Sequence, residues 1–327
     1  MIEAVYSNRS LNLVSYQVIH EWEDILCSEL DVPLVNKNEF VGEIARYLYN
    51  KKTYNYINNS LKYTNTDRTN IAFMMCIQDS RYFIGKNNVL PILIDFWEYE
   101  VELFCRIFKK SKMVYLSSLE AVIAVNKIKG TKPQVRFLPM SISDIYKTDV
   151  VPEKQIDIIQ IGRANPVFDA YIYQLLRKYP NLNYVCKKLV GDKFYWFSSV
   201  WGELGEMNTR YEYMSLLSKC KISLVSSPGM DNVRNTGKFD PVTPRFFESA
   251  VNLCHMLGRY TVNADYTYFK IPEICKNISD YEQFEQEVMS LRLSSPSALT
   301  DYYKDFLDSN YTSKRAHQII SDLAVLN

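Results

Sequence analysis

Ile156-Asp157-Ile158-Ile159-Gln160-Ile161-Gly162-Arg163 is the stretch on which the fold turns. Four isoleucines in six residues leave no polar face. A strand of this kind is buried on both sides, as in a parallel sheet covered by helices. Gly162 closes the run, where some loop conformations tolerate only glycine. Ahead of it, residues 143–155 are polar, with Pro152 in their middle, and read as a linker between domains.

Working outward from this strand, apolar runs alternate with helical patterns in both directions. Towards the C-terminus the pattern predicts a helix over 167–179 stopped by Pro180, a strand over 182–185, a helix over 211–218 and a strand over 221–225. A helix over 244–254, a short strand over 255–257 and a mostly helical tail from 281 to 326 follow. Towards the N-terminus, Leu11-Asn12-Leu13-Val14 starts an earlier series. A helix over 20–30, strands over 71–75 and 89–96, a helix over 99–110, a strand over 113–116, a helix over 119–129 and a strand over 134–138 complete it. The class is α/β, with two Rossmann-like units of similar size. They are expected at residues 1–145 and 156–300, joined by a linker over 146–155, with a C-terminal helix over 301–327 packing back on the first. Ligands bind beyond the carboxyl ends of such strands, and two such sheets facing each other would place both loop sets on a central cleft.

Composition narrows the function. A chain of 327 residues suits two domains of about 100–200 residues each. Its net charge of +1 counts against a nucleic-acid binder. The 25 tyrosines suit the apolar faces of sugar rings, and they equally suit ordinary half-buried surface. Seven single cysteines without metal-ligand spacing read as reduced thiols. No stretch approaches the roughly 18 apolar residues of a membrane span, and the first residues have no signal-peptide character. The expectation is a cytoplasmic protein, with peripheral contact at the inner face of a membrane left open.

The strongest local signal is Asp240-Pro241-Val242-Thr243-Pro244-Arg245-Phe246-Phe247-Glu248. Thr243 suits a helix N-cap and Pro244 the first helical position. A helix starting there offers free N–H groups and a positive dipole end to an anion. Arg245 adds a charged fork, and Glu248, one turn on, can accept hydrogen bonds from ribose hydroxyls. The same residues also fit a plain helix start with a surface ion pair. In the first unit, Asp95, Glu98 and His20 are candidate bases for an acceptor hydroxyl. No Asp-x-Asp and no histidine cluster marks a metal site.

The run Leu224-Val225-Ser226-Ser227-Pro228, followed by Val242 to Ala250, resembles the C-terminal lobe of GT-B glycosyltransferases, closest to group-1 and spore-coat-maturation-type members. Residues 156–163 are similar to the first strand and Gly-Arg loop of that lobe. Residues 114–118 and 137–141 resemble the end of the N-terminal lobe. The likeness covers roughly residues 95–276 and implies transfer of a sugar from a nucleotide-diphosphate sugar to a glycan acceptor, in microbial surface polysaccharide synthesis. It places Glu248 at the ribose and Gly162 and Arg163 near the diphosphate, with Ser227 and Thr243 in the same site. Asp240 stands eight positions before Glu248, the E-x7-E spacing of retaining members with a shortened first acid. The family's second phosphate-binding lysine has no counterpart in residues 164–170, and Arg245, Lys238 or Arg234 is expected to replace it. Tyr211 is a candidate to stack on a base, although a core tyrosine suits that position better. Glu248→Ala is expected to weaken nucleotide binding with the fold intact. The reading implies no cofactor, no metal and no nucleic acid; a lipid-linked acceptor is compatible with it. The alternative is a non-catalytic binding or scaffold protein of the same fold. A nicotinamide oxidoreductase fits poorly, because no G-x-G-x-x-G follows a strand.

Overall fold

The computed structural model describes residues 1–7, 9, 14–36, 68–83, 88–97, 100–162, 164–231 and 239–326. They fall into two compact units. The first comprises Met1–Asp144 and Thr312–Asn327, with Phe239; the second comprises Ile145–Thr236 and Asp240–Tyr311.

The first unit runs β1 (Ile2–Ser7), α1 (Val14–Leu30), β2 (Leu34–Asn36), β3 (Thr69–Met74), β4 (Val89–Leu93), α2 (Val101–Phe108), β5 (Val114–Leu116), α3 (Leu119–Lys127) and β6 (Val135–Phe137). Its sheet is parallel throughout, in the order β2-β1-β3-β4-β5-β6. Every residue of β3 and β4 is buried, and past Thr69 and Asn70 both read as apolar runs. Phe96, Phe104 and Phe108 fill one face with Ala121 and Val125 of α3. The strand expected at residues 11–14 is not the first strand. Leu11 to Leu13 lie outside the described residues, Val14 opens α1, and the strand at this end is β1.

The second unit runs β7 (Ile156–Gln160), α4 (Pro166–Lys178), β8 (Tyr184–Val190), β9 (Lys193–Ser198), β10 (Gly202–Gly205), α5 (Arg210–Ser218), β11 (Cys220–Ser226), α6 (Pro244–Val251), β12 (His255–Arg259), α7 (Ala264–Tyr268), α8 (Ile271–Ile274), β13 (Cys275–Asn277), α9 (Tyr281–Leu291) and α10 (Ala298–Asn310). The strand order is β10-β9-β8-β7-β11-β12-β13. Strands β8, β7, β11, β12 and β13 are parallel; β9 and β10 extend the edge antiparallel. That edge departs from the short strand expected at 182–185. Val190 pairs with Lys193, so Gly191 and Asp192 form a two-residue turn, with Gly191 at φ 65°.

Helices cover both faces of this sheet. Ile158, Ile222 and Leu224 pack on Phe168, Ile172 and Leu175 of α4 and on Phe284 and Val288 of α9. On the other face Ser249 of α6 donates to the Ser223 hydroxyl at 2.9 Å, and Phe246 and Phe247 are fully buried. The chain leaves β7 towards β8 and returns on the opposite side at β11, so the strand order reverses between β7 and β11. Lys154, at the end of the polar segment before β7, donates to Ser218 O at 3.0 Å and Asn252 O at 2.6 Å. It thereby caps the negative C-terminal ends of α5 and α6.

The last helix, α11 (Thr312–Leu326), belongs to the first unit. The Arg315 guanidinium donates to Pro139 O at 2.8 Å and Met140 O at 2.9 Å, and Gln318 donates to Phe137 O at 2.8 Å. All seven cysteines are unpaired thiols. Among the described residues no helix is long and apolar enough to cross a membrane. Two α/β units and a helical C-terminal region make up the expected class, while the tail divides at Thr312: α10 stays with the second unit and α11 alone joins the first.

Candidate functional site

The reversal point between β7 and β11 gathers the expected residues of the second unit. Gly162, just past β7, has φ 79°, and a Cβ there would fall inside the guanidinium of Arg245. Arg245 therefore lies flat over the Gly162 backbone, joining the first turn of α6 to the β7–α4 turn. Arg163, Arg234, Lys238 and Glu98 lie outside the described residues.

At the start of α6 the expectation needs one correction. Thr243 has the extended backbone of an N-cap, with φ −93° and ψ 160°, and Pro244 occupies the first turn, but the Thr243 hydroxyl makes no capping bond. It is buried without a hydrogen-bond partner. The Ser227 hydroxyl and the Tyr266 phenol are buried in the second unit as well, with Ser227 set against both Asp240 and Tyr266. An orphaned hydroxyl such as that of Thr243 is uncommon in native interiors and marks a place where a polar partner is wanted.

Asp240 stands in this buried polar group. Burial pushes its carboxyl up to about 6; Ser227 opposes the shift and the Asp265 charge adds to it. A raised carboxylate binds its proton more tightly folded than unfolded. Its stability contribution is therefore best below the unfolded value, and stability is lost as pH rises from about 4 through about 6. Asp240→Asn is accordingly expected to raise the melting temperature at pH 8 relative to the parent, with the gap closing near pH 4. A gap of equal size at both pH values would show that Asp240 does not titrate in this way.

Glu248 is 4% exposed, and both of its carboxylate oxygens are taken. Arg210 Nη1 donates to Oε1 at 2.6 Å and Tyr213 OH to Oε2 at 2.7 Å. Arg210, 5% exposed, lies 5.8 Å from the ring centre of Tyr146. The Thr209–Glu212 capping box fixes the start of α5 and so aims Arg210 and Tyr213 inward. Tyr211, on the same helix, points away: it is 80% exposed, which overturns its reading as a core residue. Glu248→Ala would strand the Arg210 charge in the interior, so the expected intact fold does not follow. Sequence reasoning missed Arg210, Tyr213 and Tyr266. The capping-box spacing at Thr209 and Glu212 was the available signal for the first two.

In the first unit, Asp95 follows β4 and is exposed, its N–H donating to Met75 O at 2.6 Å. His20 is half-buried on α1, its imidazolium disfavoured by burial and then by Arg9. Sequence reasoning also missed Glu23, which is 1% exposed and accepts from Ser7 Oγ at 2.5 Å. Burial pushes Glu23 up to about 7, against the pull of Ser7 and Arg9. Its place on the inner stripe of α1, with Ile19, Trp22 and Leu26, was the clue. Among the described residues no group of three or more His, Cys, Asp or Glu side chains is arranged to hold a metal ion.

No protein-family model matches the chain, and no curated protein matches it. Solved structures do. The sucrose-phosphate synthase (tll1590) from Thermosynechococcus elongatus superposes with TM-score 0.55 and 9% identity, over 100% of both chains. Anabaena Alr3699/HepE in complex with UDP and glucose gives TM-score 0.50 and 7% identity, over 99% of this chain and 100% of that one. The GtfA/B complex gives TM-score 0.49 and 11% identity, over 84% of this chain, which spans 60% of that one. At such identities the likeness is one of fold, and the fold of this chain, two α/β units with parallel sheets and a helical C-terminal region, is that of the GT-B glycosyltransferases.

Proposed function

We propose that this chain is a glycosyltransferase that moves a sugar from a nucleoside-diphosphate sugar to a glycan acceptor. The observation that carries the reading is the Arg245 guanidinium packed on Gly162 at the β7/β11 reversal. A glycine there lets the backbone and a cation approach one point together, beside the N-terminus of α6, and this suits a diphosphate. The HepE likeness, to a protein bound to UDP and glucose, supports the same reading.

In this reading Glu248, held in place by Arg210 and Tyr213, meets the ribose, and exposed Tyr211 is available to stack on the base. Asp240, Ser227 and Thr243 lie by the donor sugar, and the Asp240 spacing favours retention. Negative charge grows on the leaving diphosphate during transfer, and preorganised donors at Arg245 and the start of α6 stabilise it. We propose that these groups suffice without a metal ion. Asp95 is the acceptor-side candidate. A surface-polysaccharide acceptor, lipid-linked or not, and peripheral membrane contact belong to the same proposal.

Thermal stabilisation by UDP, GDP, CMP, dTDP and NAD tests the reading. One nucleoside diphosphate should raise the melting temperature, and NAD should not. Arg245→Ala should weaken that nucleotide about tenfold, as loss of a charge-assisted contact does. Release of the nucleotide from its sugar conjugate, with acceptor and in the presence of a chelator, separates an enzyme from a binding protein of the same fold. A chain that binds none of the nucleotides is not a transferase of this kind.

A further inference from the structure

Between α4 and the β8–β9 hairpin lies a cavity of about 460 Å³, lined among others by Gln160, Gly162, Asp169, Tyr184, Lys187 and Lys188. Gln160 is 5% exposed. Its carboxamide oxygen accepts from Tyr184 OH at 2.7 Å, which leaves the amide N–H groups as donors on this wall. Asp169 is the one acid on the wall; burial disfavours its charged form, and a hydrogen bond from the Gln160 side chain opposes that shift. An amide held by one acid still has a second N–H to offer an acceptor brought in from solution.

Lys187 reaches the same space from β8. Its ammonium stands 4.5 Å from the ring centre of Phe194, and no ion pair joins it to an acid among the described residues. Although Lys187 as a residue is exposed, partial desolvation of its ammonium at the cavity, and then the charge of Arg245, hold it below its ordinary range, so the two cations feel each other across Gly162. Two like charges held together cost free energy until an anion arrives between them. Neighbouring Lys188 lies over Phe197, at 5.1 Å.

We propose that Lys187 is a phosphate ligand of this site, gripping the same donor diphosphate as Arg245 from the cavity side of Gly162. The proposal rests on the nucleotide-sugar reading above. Lys187 supplies a compact point charge where Arg245 supplies a planar fork, and the Gln160 amide adds a neutral donor.

The experiment measures UDP and inorganic pyrophosphate binding by calorimetry, to the parent, Lys187→Ala, Lys187→Arg and Lys193→Ala. Lys193, paired with Glu206 at the edge of the hairpin, controls for a general loss of charge. Lys187→Ala should weaken both probes about tenfold, Lys187→Arg should recover most of the loss, and Lys193→Ala should stay within about twofold. Parent-like affinity in Lys187→Ala overturns the role of Lys187 while leaving the nucleotide reading in place. A parent that binds neither probe, and no other diphosphate of the nucleotide panel, overturns both. Because Lys187 is exposed, melting temperatures within about 2 °C of the parent are expected for all the variants.

Discussion

Arg210→Met is expected to cost the second unit about 3–5 kcal/mol, the largest loss foreseen for any single residue described here. Arg210 and Glu248 are 5% and 4% exposed, so removing the guanidinium leaves a carboxylate in the interior with only the Tyr213 hydroxyl to hold it. Against a typical domain stability of about 5–15 kcal/mol, such a loss approaches unfolding. The informative variant is the pair Arg210→Met with Glu248→Leu. Apolar side chains of similar volume often replace a buried ion pair at little cost, and the leftover Tyr213 hydroxyl would cost about 1–3 kcal/mol. Urea denaturation should therefore find the double variant more stable than Arg210→Met alone. If the two losses simply add, the residues do not act as a pair, and the assignment of Glu248 as a preset ribose acceptor weakens with it. The double variant should also lose nucleotide affinity despite its recovered stability, which separates the functional role from the structural one.

What could be read in the sequence, and what could not, divides along physical lines. Strands buried on both faces announce themselves, because burial on both sides leaves little room for polar alternation; β3 and β4 are buried at every position, and β7 and β11 at all but one. The start of α6 was equally plain, since Pro at N1 is a local requirement. The β8–β9 hairpin was not. Lys187 to Phe194 stand exposed, and an edge ribbon free of core packing carries no burial pattern to read. The proposed second phosphate cation, Lys187, stands on that ribbon, outside residues 164–170, where the family likeness would put it. Tyr211 and Tyr213 show a subtler limit. Two residues apart on a helix, they face nearly opposite directions, and only the Thr209 cap position decides which of them turns inward. The Arg210–Glu248 pair spans 38 positions and depends on α5 and α6 packing side by side, which no local pattern encodes. The β1 strand was missed for want of contrast: half of its positions are only partly buried.

Gly162→Ala should be nearly as damaging as Arg210→Met, and its effect separates into two measurable parts. The first is backbone strain. At φ 79° an L-residue pays a conformational cost of about 1–2 kcal/mol. The second is collision, because the new methyl would occupy the position of the Arg245 guanidinium. Relieving such an overlap by moving the arginine or the backbone costs about 1–3 kcal/mol more. Gly191→Ala isolates the first part, since its φ is 65° and a Cβ there meets nothing within 4 Å. Gly162→Ala with Arg245→Ala removes the second, so its stability should return to about that of Gly191→Ala. Nucleotide affinity should behave differently. It should fall about tenfold or more in Gly162→Ala and should not recover in the double variant, because the cation that grips the diphosphate is displaced in one and absent in the other. Stability that returns while binding does not is the signature of a glycine kept to seat an arginine at a ligand. Were affinity unchanged in Gly162→Ala, the diphosphate would have to bind elsewhere in the unit, and the contact between Gly162 and Arg245 would be packing alone.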